Sequence, residues 1–367
     1  MKILYVVTRS DEIGGAQVHV RDLAEAMNRR GYWTMVAVGG DGPLFAQLEA
    51  RGVPACRVDA LVRAIRPWAD LWALVQLVRL LQAEKPDLVS LHSSKAGLLG
   101  RLAAWIAGGP AVFTTHGWAF TEGVPKLRRW LSTVLERWAA PLARRIITVS
   151  EYDRELALRS GVGRAKQVVT VHNGMPEVAG NLRADPASAP PHLIMVARFN
   201  TQKDHDTLLR ALAECRDLDW RLELIGAGPG QGAVEERIKA LGLHGRVHLA
   251  GEVDDVARRL ARSQVFVLAS RWEGLPRSII EAMRAGLPVV AAQVGGVAEQ
   301  VTDDDNGFLF PAGDASALAA ILRPLLRDPA LRQRLGDQGR RRFEAEFGFP
   351  AMADHTEAVY RDVLSGD

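Results

Sequence analysis

Residues 273–281 read EGLPRSIIE, two carboxylates eight positions apart with a Gly-Leu-Pro turn and two isoleucines between them. Two acids close in space could be the acid and base of a hydrolase. If Pro276 takes the first helical position, as its fixed φ favours, Glu273 belongs to the preceding loop and Glu281 to the second turn, both directed at one ligand. Ser278-Ile279-Ile280-Glu281 also matches a capping box for a helix that starts slightly later. Spacing alone does not choose.

Other residues carry charge or small size to places where ligands bind. Arg198 ends the apolar run LIMVAR, and Lys203 follows five residues later, just before a helical pattern through Asp206, Leu208 and Leu209. Two cations at a strand's carboxyl end could clamp a diphosphate and neutralise the charge that grows as it departs; taken singly, each is equally an ordinary exposed basic residue. Gly14 and Gly15 fall where a first strand turns into a helix, where backbone can approach a phosphate at a helix N-terminus. His116 ends the run AVFTT and is the best catalytic candidate in the first half. The glycine-rich GAGPGQG, residues 226–232, follows a strand, but a dinucleotide fingerprint needs glycine where Gln231 stands.

The elements that position these residues alternate. Short apolar runs (ILYVV, TMVAV, DLVSL, AVFTT, IITVS, VVTVH) are separated by helix-period segments such as Gly15 to Arg30, which predicts β-α-β units and a parallel sheet covered on both faces. After VHNGM, the Pro- and Ala-rich stretch PEVAGNLRADPASAPP has no apolar period and reads as a linker. The pattern then restarts with LIMVAR, RLELIG, RVHLAG, VFVLAS and PVVAAQ and becomes helical from Ala315. The expectation is α/β: an N-terminal domain over 1–178, a linker over 179–191, a second doubly wound domain over 192–349, and a C-terminal helix over 350–367 that packs back on the first domain. Two doubly wound domains would face each other across a cleft at the carboxyl ends of their strands.

These pieces together resemble the retaining, nucleotide-sugar-dependent glycosyltransferases of family 4, which have the GT-B fold. The resemblance is carried in order by GGAQVHVRDLAEAM, KPDLVSLHSSKAG, THGWAF, ITVSEYDRE, VHNGM, VARFNTQKDHDTLLRALA, LIGAGP, SRWEGLPRSIIEAMRAGLPVVAAQVGG and NGFLFPAGD. It implies that Glu273 lies by the transferred sugar, that Glu281 binds the ribose hydroxyls, and that Arg198 and Lys203 hold the diphosphate. It further implies that His116 contacts the donor sugar and that the Gly14-Gly15 loop approaches donor phosphate or acceptor. The anomeric configuration would be retained by a front-face displacement in which the leaving diphosphate takes the acceptor's proton, without a metal or other cofactor. Gly274-Leu275-Pro276 departs from the commoner E-G-F-G form, and Pro276 removes a backbone N–H from the donor end. A nucleotide-sugar epimerase or hydrolase, or a non-catalytic nucleotide-sugar binder, would share much of this pattern.

Composition limits the partners. Apolar residues make up 48% and charged residues 24%, as in globular proteins, and Cys56 and Cys215 lack the spacing of a disulfide framework or zinc site. No apolar run is long enough to span a bilayer, so a cytoplasmic protein is expected. Lys and Arg outnumber Asp and Glu by 23 to 16 in residues 1–178 and trail them by 23 to 27 in the rest. No nucleic-acid module accompanies the basic half. In KLRRWLSTVLERW, residues 126–138, Leu127, Trp130, Leu131, Val134, Leu135 and Trp138 form one helical stripe beside Lys126, Arg128, Arg129 and Arg137. That stripe either packs on its own sheet or lies in the headgroups of an anionic membrane near a lipid-linked acceptor. Arg63, Arg66, Trp68 and Trp72 form a second cluster of the same kind. The resemblance implies as partners a nucleotide-sugar donor (uridine by default) and a lipid-linked or soluble glycan acceptor; the outward reading of the stripe at 126–138 would add the inner face of the cytoplasmic membrane.

Overall fold

The computed structural model describes residues 1–11 and 13–366 and contains two compact units. The first comprises Met1–His172 with Met352–Asp367, the second Asn173–Ala351. The first unit holds strands β1 (Lys2–Val7), β2 (Trp33–Val38), β3 (Ala55–Arg57), β4 (Leu88–His92), β5 (Ala111–Thr115), β6 (Arg145–Thr148) and β7 (Val168–Thr170). They form one sheet in the order β3-β2-β1-β4-β5-β6-β7, with every pair parallel. Its helices are α1 (Gly15–Arg29), α2 (Leu44–Glu49), α3 (Pro67–Glu84), α4 (Ser94–Ala107), α5 (Lys126–Ala139) and α6 (Glu151–Arg159). Strands β4 and β5 are buried at every position, so their unbroken apolar runs reflect helices on both faces.

The second unit repeats the plan with β8 (His192–Val196), β9 (Arg221–Ile225), β10 (Val247–Gly251), β11 (Val265–Leu268), β12 (Val289–Ala292) and β13 (Gly307–Phe310), in the parallel order β10-β9-β8-β11-β12-β13. Between and after them run α7 (His205–Glu214), α8 (Gln231–Ala240), α9 (Val256–Leu260), α10 (Arg277–Ala285), α11 (Ala315–Arg327), α12 (Pro329–Glu346) and α13 (Phe349–Ser365). From Met352 onward α13 belongs to the first unit, where Arg30 pairs with Asp354 and Glu357, and Ser90 meets Tyr360. Residues 179–191 belong to the second unit and are tied to it: Ala184 N–H donates to Ala285 O, and the buried Arg332 guanidinium reaches the carbonyls of Pro186 and Ser188. Strands β3 and β13 escape the sequence pattern, the first because three residues carry no period.

In each sheet the strand order reverses between two neighbours, β1 and β4 in the first and β8 and β11 in the second. At such a switch point the two following loops leave in opposite directions and open a crevice at the carboxyl ends. The β8–α7 loop carries Arg198 and Lys203, and the β11–α10 loop carries Glu273. In the first unit the β1–α1 and β4–α4 loops carry Gly14 and Ser93, and His116 follows the adjacent β5.

Candidate active site

In the second unit the switch-point loops are laced together around one ion pair. The Lys203 ammonium donates to Glu273 Oε1, which also accepts from Ser270 Oγ at 2.6 Å. The two side chains are only 15% and 6% exposed, so the carboxylate lies where it needs these donors. Backbone supports both partners. Asn200 Oδ1 accepts from the N–H groups of Gln202 and Lys203, the Gln202 amide donates to Trp272 O at 2.8 Å, and Arg271 N–H donates to Gln202 O at 2.7 Å. Gly295, at φ +55°, lies against Glu273: a Cβ there would stand 1.9 Å from the Glu273 carbonyl oxygen.

Pro276 is the residue before the helix, with ψ 120°, not its first helical residue, and α10 begins at Arg277. The ring's loss of an N–H costs nothing there, while its carbonyl accepts from Gln300 Nε2 at 3.1 Å. Ser278 is therefore inside the helix and makes no capping box. Glu281 sits in the second turn, half-buried, and burial pushes its carboxyl above the ordinary value while Arg284 and Arg277 pull it back. No recorded bond among the described residues joins Glu281 to the Lys203–Glu273 pair. Arg198 is exposed after β8. His205 opens α7, stacks on Phe199 at 4.5 Å and is pushed down to about 4 by burial and by the neighbouring Lys203 charge.

Glycines let the backbones close up behind these loops. Gly226 and Gly228, at φ +140° and +157°, press on Ala197 O and Phe199 O, where a Cβ would stand 2.2 and 2.3 Å away. The GAGPGQG turn is thus the floor under the β8–α7 loop. Gly14, by contrast, has ordinary extended backbone (φ −109°), and its N–H donates to Gln17 Oε1 at 3.2 Å at the start of α1. Smallness, not left-handed backbone, is what Gly14 supplies, and Gly15 begins the helix exposed.

In the first unit His116 is one of three clustered imidazoles. Its Nε2 lies 3.2 Å from His92 Nδ1, and the rings of His19 and His116 meet edge-on at 4.8 Å. His19 comes from α1, so the helix begun by Gly14-Gly15 and the residue after β5 do converge. His92 is fully buried, and burial, then His116, pushes it well below the ordinary histidine value, so it is neutral. The ligating nitrogens of the three lie within 4.8 Å of one another and have the donor types of a zinc or copper site. Both His92 nitrogens are already engaged, however, by His116 and by Ser90 Oγ at 3.0 Å, and a cation would have to displace one of them.

Sequence reasoning missed Asn200, Gln202, Ser270, His19 and His92. For the first three the available signal was position: they sit in the two loops flanking the β8/β11 switch point. For His92 it was the apolar run DLVSLH, whose alternate residues Ser90 and His92 share a face.

This arrangement places cations and a carboxylate acceptor side by side. Residues 13–177 match the profile of Glycosyltransferase Family 4, and residues 183–342 that of Glycosyl transferases group 1. The chain belongs to the family 4 glycosyltransferases. It is 30% identical over 301 residues to the putative glycosyltransferase EpsD of Bacillus subtilis (strain 168), covering 76% of this chain and 78% of that one. It is 29% identical over 339 residues to the Escherichia coli UDP-Gal:alpha-D-GlcNAc-diphosphoundecaprenol alpha-1,3-galactosyltransferase, covering 88% and 87%. Among solved structures, Anabaena HepE in complex with UDP and glucose superposes with a TM-score of 0.85 at 23% identity, over 98% of this chain and 99% of that one. Sucrose-phosphate synthase from Thermosynechococcus elongatus gives 0.85 at 24%, over 100% and 99%. The family 4 chain therefore has the GT-B fold, two Rossmann-like parallel-sheet domains.

Proposed function

We propose that this glycosyltransferase moves a sugar, with retention, from a uridine diphosphate sugar to a polyprenyl-diphosphate-linked glycan in exopolysaccharide, capsule or O-antigen synthesis. The observation that carries the reading is the Lys203–Glu273–Ser270 cluster at the switch point of the second sheet. An ammonium has three donors. While one holds Glu273, the others are directed at a diphosphate that Arg198 also meets. Charge growing on the leaving group is thereby stabilised by groups already in place, and no divalent ion is assigned a part. Glu273 gives Oε1 to Lys203 and Ser270, leaving Oε2 for a sugar hydroxyl. Being paired with a cation and buried, it is better suited to holding position than to attacking carbon. Glu281, with its raised carboxyl, is assigned the ribose hydroxyls, His116 the donor sugar, and the Gly14-Gly15 loop the donor phosphate or acceptor.

The donor and acceptor are read from the E. coli relative, whose name specifies UDP-galactose and a diphosphoundecaprenol-linked sugar, and from the UDP and glucose held by HepE. Purified protein incubated with UDP-sugars, with and without a lipid-linked acceptor, tests the reading. UDP release that requires acceptor, with an α-linked product by NMR, is expected. Donor breakdown that ignores acceptor would mean a hydrolase or epimerase, and binding without turnover a sugar-nucleotide binder.

The membrane is supported by a separate observation. Helix α5 is built inside out: its buried residues are Glu136 and Ala139, while Leu127, Trp130, Leu131, Val134, Leu135 and Trp138 are 71%, 61%, 47%, 42%, 49% and 58% exposed. Glu136 pairs at 2.7 Å with the fully buried Arg101 of α4, which fixes the polar side inward. Packing on its own sheet is thus not what the stripe does. Trp68, Leu71 and Trp72 of α3 and Trp105 and Ile106 of α4 are also exposed, and the exposed Lys126, Arg128 and Arg129 open α5. No helix among the described residues is long and apolar enough to cross a membrane. An apolar face with a basic margin fits the headgroup region of an anionic leaflet, where a lipid-linked acceptor resides.

A further inference from the structure

The loop that carries Glu273 is fastened at three successive carbonyls, two of them by buried side-chain amides. Gly274 O accepts from Gly296 N–H at 2.9 Å, Leu275 O from Asn173 Nδ2 at 3.1 Å, and Pro276 O from Gln300 Nε2 at 3.1 Å. The donors come from separate stretches: Asn173 is the first residue of the second unit, Gly296 lies in the 3-10 turn Gly295–Glu299, and Gln300 caps that turn. Gln300 is itself moored to the second sheet. Its carbonyl accepts from Asn306 Nδ2 at 2.9 Å, Asn306 Oδ1 accepts from Thr302 N–H at 2.7 Å, and the next residue, Gly307, opens β13 beside β12. The sheet thus reaches the Glu273 loop through Asn306 and Gln300.

Stability alone does not account for these amides. Gln300 is 0% and Asn173 3% exposed. Pro276 O only accepts, so the side of the Gln300 amide turned to it is the NH2, and the same holds for Asn173 at Leu275 O. Each amide oxygen is turned elsewhere, and neither Gln300 Oε1 nor Asn173 Oδ1 has a hydrogen-bond partner among the described residues. A buried acceptor left unmet costs about as much as one neutral hydrogen bond returns, or more. An apolar side chain of similar size at position 300 would avoid that cost, and Pro276 O would still accept from Ile279 N–H at 3.2 Å. It would not tie the loop to the sheet. Local rules are broken in this way chiefly where function requires a fixed position.

We propose that Gln300 is a positioning residue for glycosyl transfer, acting through the Pro276 carbonyl to hold the Glu273–Pro276 segment in place, with Asn173 holding the neighbouring carbonyl. Pro276 stands between two functional groups: Glu273 precedes it by three residues, and Glu281 follows it in the second turn of α10. A released carbonyl loosens both. Misplacement of reacting groups by about 1 Å costs on the order of a hundredfold in rate, so a loop that is merely loosened is already felt in kcat. That effect on rate rests on the glycosyl-transfer reading, whereas the tether itself does not.

Gln300→Met tests this, because methionine is unbranched, apolar and adaptable in a core. Its melting temperature is expected to equal or exceed that of the wild type. Hydrogen–deuterium exchange over residues 272–280 should be faster, with the rest of the second unit unchanged. In transfer assays kcat should fall by roughly fivefold to tenfold, the worth of one hydrogen bond, with a smaller change in KM for donor. Asn173→Leu should speed exchange over the same segment. A clear loss of stability in Gln300→Met would mean that the amide serves the fold, and unchanged exchange over 272–280 would mean that it holds nothing; either result overturns the proposal, as does an unchanged kcat in a loosened loop. Faster exchange at full stability in a protein that transfers no sugar, wild type included, would sink the glycosyl-transfer reading and leave the tether standing.

Discussion

Lys203 and Glu273, seventy positions apart in the chain, form a nearly buried ion pair across the two loops that flank the reversal of strand order in the second unit. The family resemblance implies a different duty for each, a diphosphate for the lysine and a sugar for the glutamate. The structure joins the two side chains, so moving either changes the charge seen by the other.

That coupling is measurable as a departure from additivity. Lys203→Met strands a carboxylate that is 6% exposed, and breaking a buried pair from one side costs about 3–5 kcal/mol. Glu273→Gln leaves an ammonium that is 15% exposed, nearer to water, and is expected to cost less. The double variant should be more stable than the sum of the two predicts, by about 1–3 kcal/mol. Urea unfolding of the four proteins gives this number, and strict additivity would mean that the pair is not formed in solution.

Gly295 is the site's tightest backbone contact. Replacing it with alanine adds left-handed strain at φ +55° and drives a Cβ to 1.9 Å from Glu273 O. Gly313 provides the control, since it has φ +81° but nothing within 4 Å. Gly313→Ala should cost about 1–2 kcal/mol from backbone strain alone, and Gly295→Ala distinctly more, together with weakened UDP binding. Melting temperatures and calorimetric UDP titrations of both variants check this. Equal effects would show that the Glu273 loop yields freely.

Much of this was open to sequence reasoning because α/β sheets advertise themselves: continuous apolar runs of four to six residues at regular spacing allow few folds. The positions of His116, Glu273 and Lys203 in loops beyond apolar strands were legible for the same reason. The partners that hold them were not. Ser90 and His92 lie inside a strand that reads as core, and no local rule tells that Tyr360, on the last helix, completes their hydrogen bonds. Nor can periodicity tell which side of an amphipathic helix faces in. In α5 that was settled by one residue, Glu136, whose partner Arg101 lies in another helix. Pro276 was misplaced by one position because the first helical residue and the one before it both tolerate a missing N–H.

Acid should loosen the second unit through His205. Its pKa falls from 6.5 to about 4 on folding, so the folded state binds fewer protons than the unfolded chain between those values. Stability is therefore complete above pH 6.5 and declines as pH drops toward 4, by about 2 kcal/mol on reaching pH 5 at 1.36 kcal/mol per unit. His205→Gln cannot titrate and should lack this component of the pH slope, whatever its absolute stability. Urea midpoints of both proteins at pH 7.5 and about pH 5 would show the difference. Parallel slopes would mean that His205 is not held neutral.

The outward stripe of α5 predicts a surface whose loss is invisible to the fold. Trp130 and Trp138 are 61% and 58% exposed, so Trp130→Ser with Trp138→Ser should leave the melting temperature within a degree or two while sharply reducing sedimentation with vesicles. Arg128→Gln with Arg129→Gln should weaken binding by about 1 kcal/mol per charge, and only to vesicles containing anionic lipid at low salt. The two pairs of substitutions separate the two contributions: the first should reduce binding to every vesicle that binds the wild type, the second should abolish the preference for negative charge. A second copy of this chain could also cover an apolar face. In that case the tryptophan variant would shift a concentration-dependent dimer to monomer in sedimentation velocity and leave vesicle binding unchanged, and the membrane reading would fall.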